Sequence, residues 1–381
     1  MLLFDHEMVQ LLTAYLRVDT SHPNPNYEQA YSLLQQQADR DGLQTMRIAL
    51  PSGRDVVVIS LPGLQKSGGA LALVHHVDVV PADATLCKYN PFGGHIVDGI
   101  MYGRGTQDMK GVGITHYAAL RALKRACIVP QHTIHLLAVP DEELGGFTGT
   151  GQLIKTEAFA ELGIQYVLDE GRPSGLSDGL FIKVSERRPL QVRFTATGAL
   201  AHASNQYAHN ALHELMRFCN RLIEASTEAS VHVTSLHAGQ EATYNVVPAS
   251  AQAIVDMRIP MHVTNQAVLD LINTELQLSK MITYEILASV QDYQCHDQTA
   301  TELFKTVQRA ITKQGLRPMV QHATEASDLR FYWMQGLVGL GLTPFTVQEN
   351  LHGVDEAVPL ADLELGARIF FEIIQTFCIE G

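Results

Sequence analysis

The sequence predicts a mixed-sheet α/β domain interrupted by a smaller inserted α+β domain. Three observations predict it. The 381 residues exceed what one hydrophobic core usually holds. Between residues 56 and 168, short and nearly continuous apolar runs bounded by Gly and Pro alternate with helical stretches, as strands buried on both faces do. Near residue 188 the pattern changes to strict apolar–polar alternation, the mark of a half-exposed antiparallel strand.

Taken in order, the first forty residues read as helices. Residues 56–61 and 70–74 read as strands, 110–127 as a helix, and 133–139 and 165–168 as further strands. This β-β-α-β-α-β run suits a mixed sheet covered on both faces. The insert opens with a strand at 190–197. A helix follows with Leu212, Leu215, Met216, Cys219, Leu222 and Ile223 on one face, then strands around 231–236 and 249–259. A second helix carries Val268, Leu271, Ile272 and Leu276, and a last strand lies near 283–290. That order, β-α-β-β-α-β, is ferredoxin-like. After about residue 298 helices resume, and the last places Leu363, Ala367, Phe370, Phe371, Ile374 and Phe377 on a single face.

Composition narrows the function. With 46% hydrophobic and 18% charged residues the chain reads as an ordinary soluble globular protein. Its net charge of −13 argues against nucleic acid or an anionic membrane as partner, since both want a basic face. The amino-terminal stretch is broken by Asp5, His6 and Glu7, so it is not a secretory signal, and no run of about 18 apolar residues predicts a membrane span. Five scattered cysteines, Cys87, Cys127, Cys219, Cys295 and Cys378, form no CxxC and read as core filler in a reduced, cytoplasmic compartment.

Four segments hold metal-type side chains, each just after an expected strand or in a turn: His75-His76-Val77-Asp78, Arg104 to Lys110 with Asp108, Pro140-Asp141-Glu142-Glu143, and Leu168-Asp169-Glu170-Gly171. A fifth candidate is His352, in Leu351-His352-Gly353-Val354-Asp355-Glu356. Each alone has a plainer reading, as a solvated turn or a helix cap. Carboxylates directly after buried strands are nevertheless poorly placed unless a cation is near. Strand carboxyl ends are where such segments converge. A hydrolytic zinc site wants imidazole and carboxylate ligands and an open position for water. Two zincs about 3.5–4 Å apart want a bridging carboxylate. A further carboxylate that binds no metal can then move the proton.

The joint pattern HxDVVP, YGRGxxDMKG, PDEExGG, LDEG, TGxxxHAS, NVVP and a late HxxDE resembles the zinc aminoacylase, acetylornithine deacetylase and succinyl-diaminopimelate desuccinylase family, which also holds glutamate carboxypeptidases. The likeness runs from about residue 70 past His352 and is greatest to the aminoacylase branch. It implies a mixed-sheet di-zinc peptidase catalytic domain, residues 1–187 and 298–381, with an inserted ferredoxin-like α+β dimerisation (lid) domain, 188–297. It also implies two Zn²⁺ per subunit, with Co²⁺ or Mn²⁺ as alternatives. His76 and Glu170 would bind one ion, Glu143 and His352 the other, and Asp108 would bridge them. Asp78 would hydrogen-bond the second nitrogen of His76. Glu142 would be general base and acid, and His202 would reach the partner subunit's site in a homodimer to stabilise the oxyanion. Asn245, Arg258, Arg330 and Gly341 match substrate-binding positions, Arg330 as a carboxylate clamp and Gly341 as a loop glycine. The substrate implied is a small N-acylated amino acid or short peptide with a free carboxylate.

Three positions depart from the family's pattern. Cys87 stands where a Trp is common before Pro91-Phe92, His75 where a small residue precedes the ligand, and Leu342-Thr343-Pro344 lacks a longer proline-bearing pattern. Two choices stay open. His75 and His76 point to opposite faces of a strand, with HxD spacing favouring His76, and Asp169 competes likewise with Glu170. Gly175-Leu176-Ser177-Asp178-Gly179 fits GxSxG but lies in a Pro- and Ser-containing loop, where a turn is expected rather than a nucleophile elbow. The rival to an amidohydrolase is a non-catalytic relative, which the loss of Glu142 or of a ligand would favour; none is missing.

Overall fold

The computed structural model describes residues 2–65, 69–205, 209–239, 244–293, 297–348 and 350–377; Cys295 and Cys378 lie outside them. The chain forms two compact units. One comprises Met1–Val184, Cys295–His322 and Ser327–Gly381, the other Ser185–Gln294 and Ala323–Ala326. Among the described residues no helix is long and apolar enough to cross a membrane.

The larger unit is built on an eight-stranded mixed sheet. Its strands run, side by side, Gln44–Ala49, Asp55–Leu61, Ile134–Val139, Ala70–His76, Ile164–Asp169, Val338–Gly341, Gly179–Glu186 and Arg317–Ala323. The strands Ala70–His76 and Ile134–Val139 are buried at every residue, which is why their apolar runs are unbroken. They pair in parallel from Leu71↔Ile134 to His76↔Val139, and Ala70–His76 also pairs in parallel with Ile164–Asp169. Three strands therefore end together, and each is followed by one of the expected segments. The helices Lys110–Arg125 and Leu360–Gln375 bury Val112, Ile114, Leu120, Leu363, Ile369 and Phe370 in the same core. Asp5, which breaks the amino-terminal apolar run, is the N-cap of the helix His6–Leu16 and accepts from the Met8 amide.

Several strands escape the sequence reading. Gln44–Ala49 and Arg317–Ala323 each bury a single residue, Ile48 and Ala323, and flank the sheet, so they carry little apolar signal. Val338–Gly341 has only four residues, two of them Gly. Ser177 and Asp178 form a turn directly before the strand Gly179–Glu186, with no strand leading into it, so the GxSxG segment has no elbow geometry.

In the smaller unit the strands Ser230–Ala238, Ser250–Ile259, Arg188–Thr197 and Ile282–Ser289 form one antiparallel sheet in that order. With the helices Ala211–Ala225 and Asn265–Gln277, this is the connectivity and strand order of a β-α-β-β-α-β unit. Burial alternates along Arg188–Thr197, with Leu190, Val192, Phe194 and Ala196 inward. The helices add Leu215, Phe218, Leu222, Val268 and Ile272 to that core. Met216 and Ile223, expected on the buried face, are 47% and 43% exposed. The buried stripe follows Ala211, Leu215, Phe218 and Leu222, and these two residues fall just outside it.

A histidine pair sits deep in the larger core. His75 is fully buried and its Nε2 lies 3.2 Å from the Tyr15 hydroxyl. A Cβ on Gly113 would stand 2.4 Å from the His75 ring, so only glycine lets the helix Lys110–Arg125 pass there. His116, on that helix, packs edge-on against Phe370, and neither ring nitrogen has a partner among the described residues. Burial, reinforced by His75, holds the His116 imidazole well below its ordinary range. The unfolded ring takes up a proton below about pH 6.5 while the buried ring does not, so stability falls as pH drops through that range. His116→Leu is therefore expected to stabilise the fold by about 1–3 kcal/mol near pH 8, where two unpaired polar atoms are removed, and by more near pH 5. Urea unfolding at both values checks it; a variant no more stable than the parent at either would mean the ring is satisfied.

Candidate metal centre

His76 closes the strand Ala70–His76, Glu142 and Glu143 form a 3₁₀ turn shortly after Ile134–Val139, and Glu170 follows Ile164–Asp169. Asp108 lies just before the helix Lys110–Arg125, and its peptide to Met109 is cis. His352 sits in the loop before the strand Ala357–Pro359. These five residues converge. Asp108 Oδ1 lies 2.8 Å from His76 Nε2, and Asp108 Oδ2 lies 2.9 Å from His352 Nε2. Glu170 Oε2 is 3.5 Å from His76 Nε2, and Glu143 Oε1 is 3.4 Å from His352 Nε2. The result is two groups that could each hold a metal ion, His76–Asp108–Glu170 and Asp108–Glu143–His352, sharing one carboxylate.

In both open pairs the pleat sends the two side chains to different surroundings. His75 faces the core beside Tyr15, and His76 faces the carboxylates. Asp169 is buried, pairs in register with Gly341, and takes no place in either ligand set, whereas Glu170 joins the first.

The electrostatics call for cations. His76 Nδ1 donates to the Asp78 carbonyl at 2.9 Å, which leaves Nε2 as a lone pair facing a carboxylate oxygen. That arrangement is repulsive unless a proton or a metal lies between. Burial works against charge on His76, but the bonds to Asp108 and Glu170 push it well above its ordinary range. Asp108 and Glu143 push His352 up to about 10. Burial raises Glu142 and Glu143, and neighbouring carboxylates add to it, Glu170 for Glu142 and Asp108 for Glu143. Among the described residues Glu143 Oε1 has no hydrogen-bond partner. Two imidazoles and four clustered carboxylates form a nitrogen–oxygen donor set with surplus negative charge, and a pair of divalent cations fits it.

Other residues hold the ligands in place. Asp78 departs from expectation: its carboxylate oxygen is 3.7 Å from His76 Nδ1, and the bond to that nitrogen comes from its main-chain carbonyl. The carboxylate instead accepts the Glu142 amide at 3.2 Å and the Glu143 amide at 3.0 Å, because the turn delivers both to it first. Asp141, at φ 62°, accepts from the Tyr27 hydroxyl, from Arg54 and from Thr148. Buried Arg104 pairs with Glu356 at 2.7 Å and donates to the carbonyls of His352 and Gly353. Glu356 accepts the Gly105 and Gln107 amides, so this pair ties the Asp108 segment to the His352 loop. Arg104 and Glu356 stood inside the quoted motifs, and only their partners were illegible. His22 and Tyr27 carried no sequence signal.

The remaining expected residues are placed as follows. His202 is exposed in the smaller unit, its Nδ1 2.8 Å from Ser204 Oγ and its Nε2 3.1 Å from Asn245 Nδ2. The short strands Ala201–His202 and Val246–Val247 bring those two together. Arg258 is half-buried on Ser250–Ile259 and bonds Asp256 at 2.7 Å. Arg330 does not present a free fork. It is buried, donates to the carbonyls of Ser327 and Gly145, and lies over the Phe331 ring. Gly341 is not a loop glycine. It ends a buried strand, and a Cβ there would stand 2.2 Å from the Glu170 carbonyl, so its smallness sets how closely the Glu170 backbone packs.

The model of peptidase family M20/M25/M40 matches residues 72–376. Pig (Sus scrofa) aminoacylase-1 is 29% identical, covering 97% of this chain and 95% of its own. Among solved structures, an M20 family metallo-carboxypeptidase from Sulfolobus solfataricus superposes with a TM-score of 0.80 at 16% identity, covering 98% of this chain and 99% of its own. A dinuclear metal-binding M20 peptidase from Bacillus subtilis gives 0.68 at 13% identity, covering 97% and 98%. A match over most of the chain makes this protein a member of the M20/M25/M40 peptidase family.

Proposed function

We propose that the protein hydrolyses the amide bond of N-acyl-L-amino acids with the help of two divalent cations, zinc by the donor chemistry and cobalt or manganese as alternatives. The observation that carries this is Asp108, whose two oxygens each face a histidine Nε2 within a cluster of carboxylates. His76, Asp108 and Glu170 would hold one ion, and Asp108, Glu143 and His352 the other. When bound, such a pair supplies Lewis-acid polarisation of the scissile carbonyl and lowers the pKa of an attacking water toward about 7.

The chain's own groups do the rest. Glu142 takes a proton from the water as its oxygen bonds the carbonyl carbon, then gives it to the nitrogen as the C–N bond breaks, leaving a carboxylate and a free amine. Its carboxyl is raised by burial and by Glu170, which suits a group that must hold that proton between steps. Asp78 and Asp141 keep the Glu142–Glu143 turn in place. His202 is assigned to the developing oxyanion, acting from the smaller unit of a second copy in a dimer. Its ring is already oriented by Ser204 and Asn245. Arg258, whose guanidinium is partly exposed, is assigned to the substrate carboxylate in preference to Arg330.

Likeness to aminoacylase-1 along nearly the full length favours N-acyl amino acids over acetylornithine, succinyl-diaminopimelate or short peptides. A panel of these substrates, assayed with and without a chelator, tests the reading. The expected result is fastest turnover of N-acyl amino acids, abolished by chelation and restored by zinc, with His202→Ala lowering kcat by about 10²–10³-fold. Chelator-resistant turnover, or none on any amide, would overturn it.

A further inference from the structure

Residues 20–27 precede every motif of the sequence and lie outside the matched region 72–376. They are nevertheless stitched to the chain leaving His76. Thr20 Oγ1 donates to the Val77 carbonyl at 2.7 Å, the Val79 amide donates to the Thr20 carbonyl, and Ser21 bridges Val79. This brings His22 and Tyr27 behind the catalytic turn.

We propose that His22 is a positioning residue for the general base, acting through Asp78; the proposal rests on reading Glu142 as that base. His22 Nε2 donates to Asp78 Oδ2 at 3.0 Å. The acceptor is a carboxylate, so Nε2 carries the proton. Asp78 is fully buried, and its carboxylate gathers three donors: His22 and the amides of Glu142 and Glu143. On the other flank of the turn, Tyr27 donates to Asp141 Oδ1 at 2.7 Å and accepts the Asp141 amide at 3.0 Å. Arg54 and Thr148 hold the other Asp141 oxygen. The turn is thus suspended at Asp141 and again at the next two amides, and the second suspension depends on the rotation of one carboxylate. Without His22, Asp78 loses its third donor and is free to swing toward His76 Nδ1, 3.7 Å away, releasing one or both amides. A shift of about 1 Å in a reacting group costs on the order of 10²-fold in rate.

The test uses full-length, zinc-loaded protein carrying His22→Ala or His22→Gln, since the glutamine amide can donate where Nε2 does. Five quantities are read: kcat, KM, bound zinc, thermal midpoint, and hydrogen exchange of the peptide spanning 140–148. His22→Ala is expected to speed exchange in that peptide selectively and to lower kcat by about 10–100-fold, with KM, zinc content and thermal midpoint held. His22→Gln is expected to restore most of both. Unchanged exchange in His22→Ala, a glutamine variant as defective as alanine, or a kcat loss that merely tracks zinc loss or a collapsed midpoint would each overturn the proposal. Exchange is read without substrate, so a protein inactive on every amide would refute the hydrolase reading while exchange still decides whether His22 holds the Glu142–Glu143 turn.

Discussion

Glu142→Gln is expected to retain both cations and lose kcat by at least about 10²-fold, and up to about 10⁴-fold. Glutamine keeps the size and shape of the side chain and leaves the amide that Asp78 accepts, so the turn and the ligand Glu143 stay in place. What it removes is the ability to take a proton. Steady-state kinetics with elemental analysis of the same preparation separate the two effects. Turnover near that of the parent would remove Glu142 from the mechanism, whereas zinc loss would mean it is a ligand. The same variant tests whether His202 crosses to a second copy. Mixing inactive Glu142→Gln with inactive His202→Ala is expected to restore part of the activity, because a mixed dimer then holds one site with both groups. No recovery, with subunit exchange verified, would refute action in trans.

Asp108→Ala is expected to empty both cation sites. Its two oxygens lie 2.8 Å and 2.9 Å from His76 Nε2 and His352 Nε2, so one side chain belongs to both ligand sets. Without it each set keeps one imidazole and one carboxylate, too few ligands for a closed site. Bound zinc should fall from about two equivalents to well below one, and activity should vanish with it. His352→Ala is the contrasting variant. It belongs to one set, so about one equivalent should remain. Retention of two full equivalents by Asp108→Ala would refute the bridging role.

Legibility varied with burial. The central strands were readable because both faces are covered and their apolar runs are unbroken, as in Ala70–His76 and Ile134–Val139. Gln44–Ala49 and Arg317–Ala323 were missed because much of each is exposed. The antiparallel strand Arg188–Thr197 was readable from its alternation. The site followed the same division. Residues whose chemistry is in the side chain, such as His76, Asp108, Glu143, Glu170 and His352, could be put forward as ligands from the family resemblance. Residues that act by where they point could not. Arg330 resembled a clamp and is committed to the carbonyls of Ser327 and Gly145. Gly341 resembled a substrate contact and packs on the Glu170 backbone.

By itself the sequence determined the fold class, the family and the residue types available for metal and proton chemistry, because apolar periodicity and motif spacing are local properties of the chain. Only the tertiary structure decided how closely Asp108 faces both histidines, that Asp78 holds the Glu142–Glu143 turn by its amides, and that His22 stands behind it. Those contacts join residues 32 to 244 positions apart, or turn on the rotation of a single buried carboxylate. Packing of the whole unit sets both.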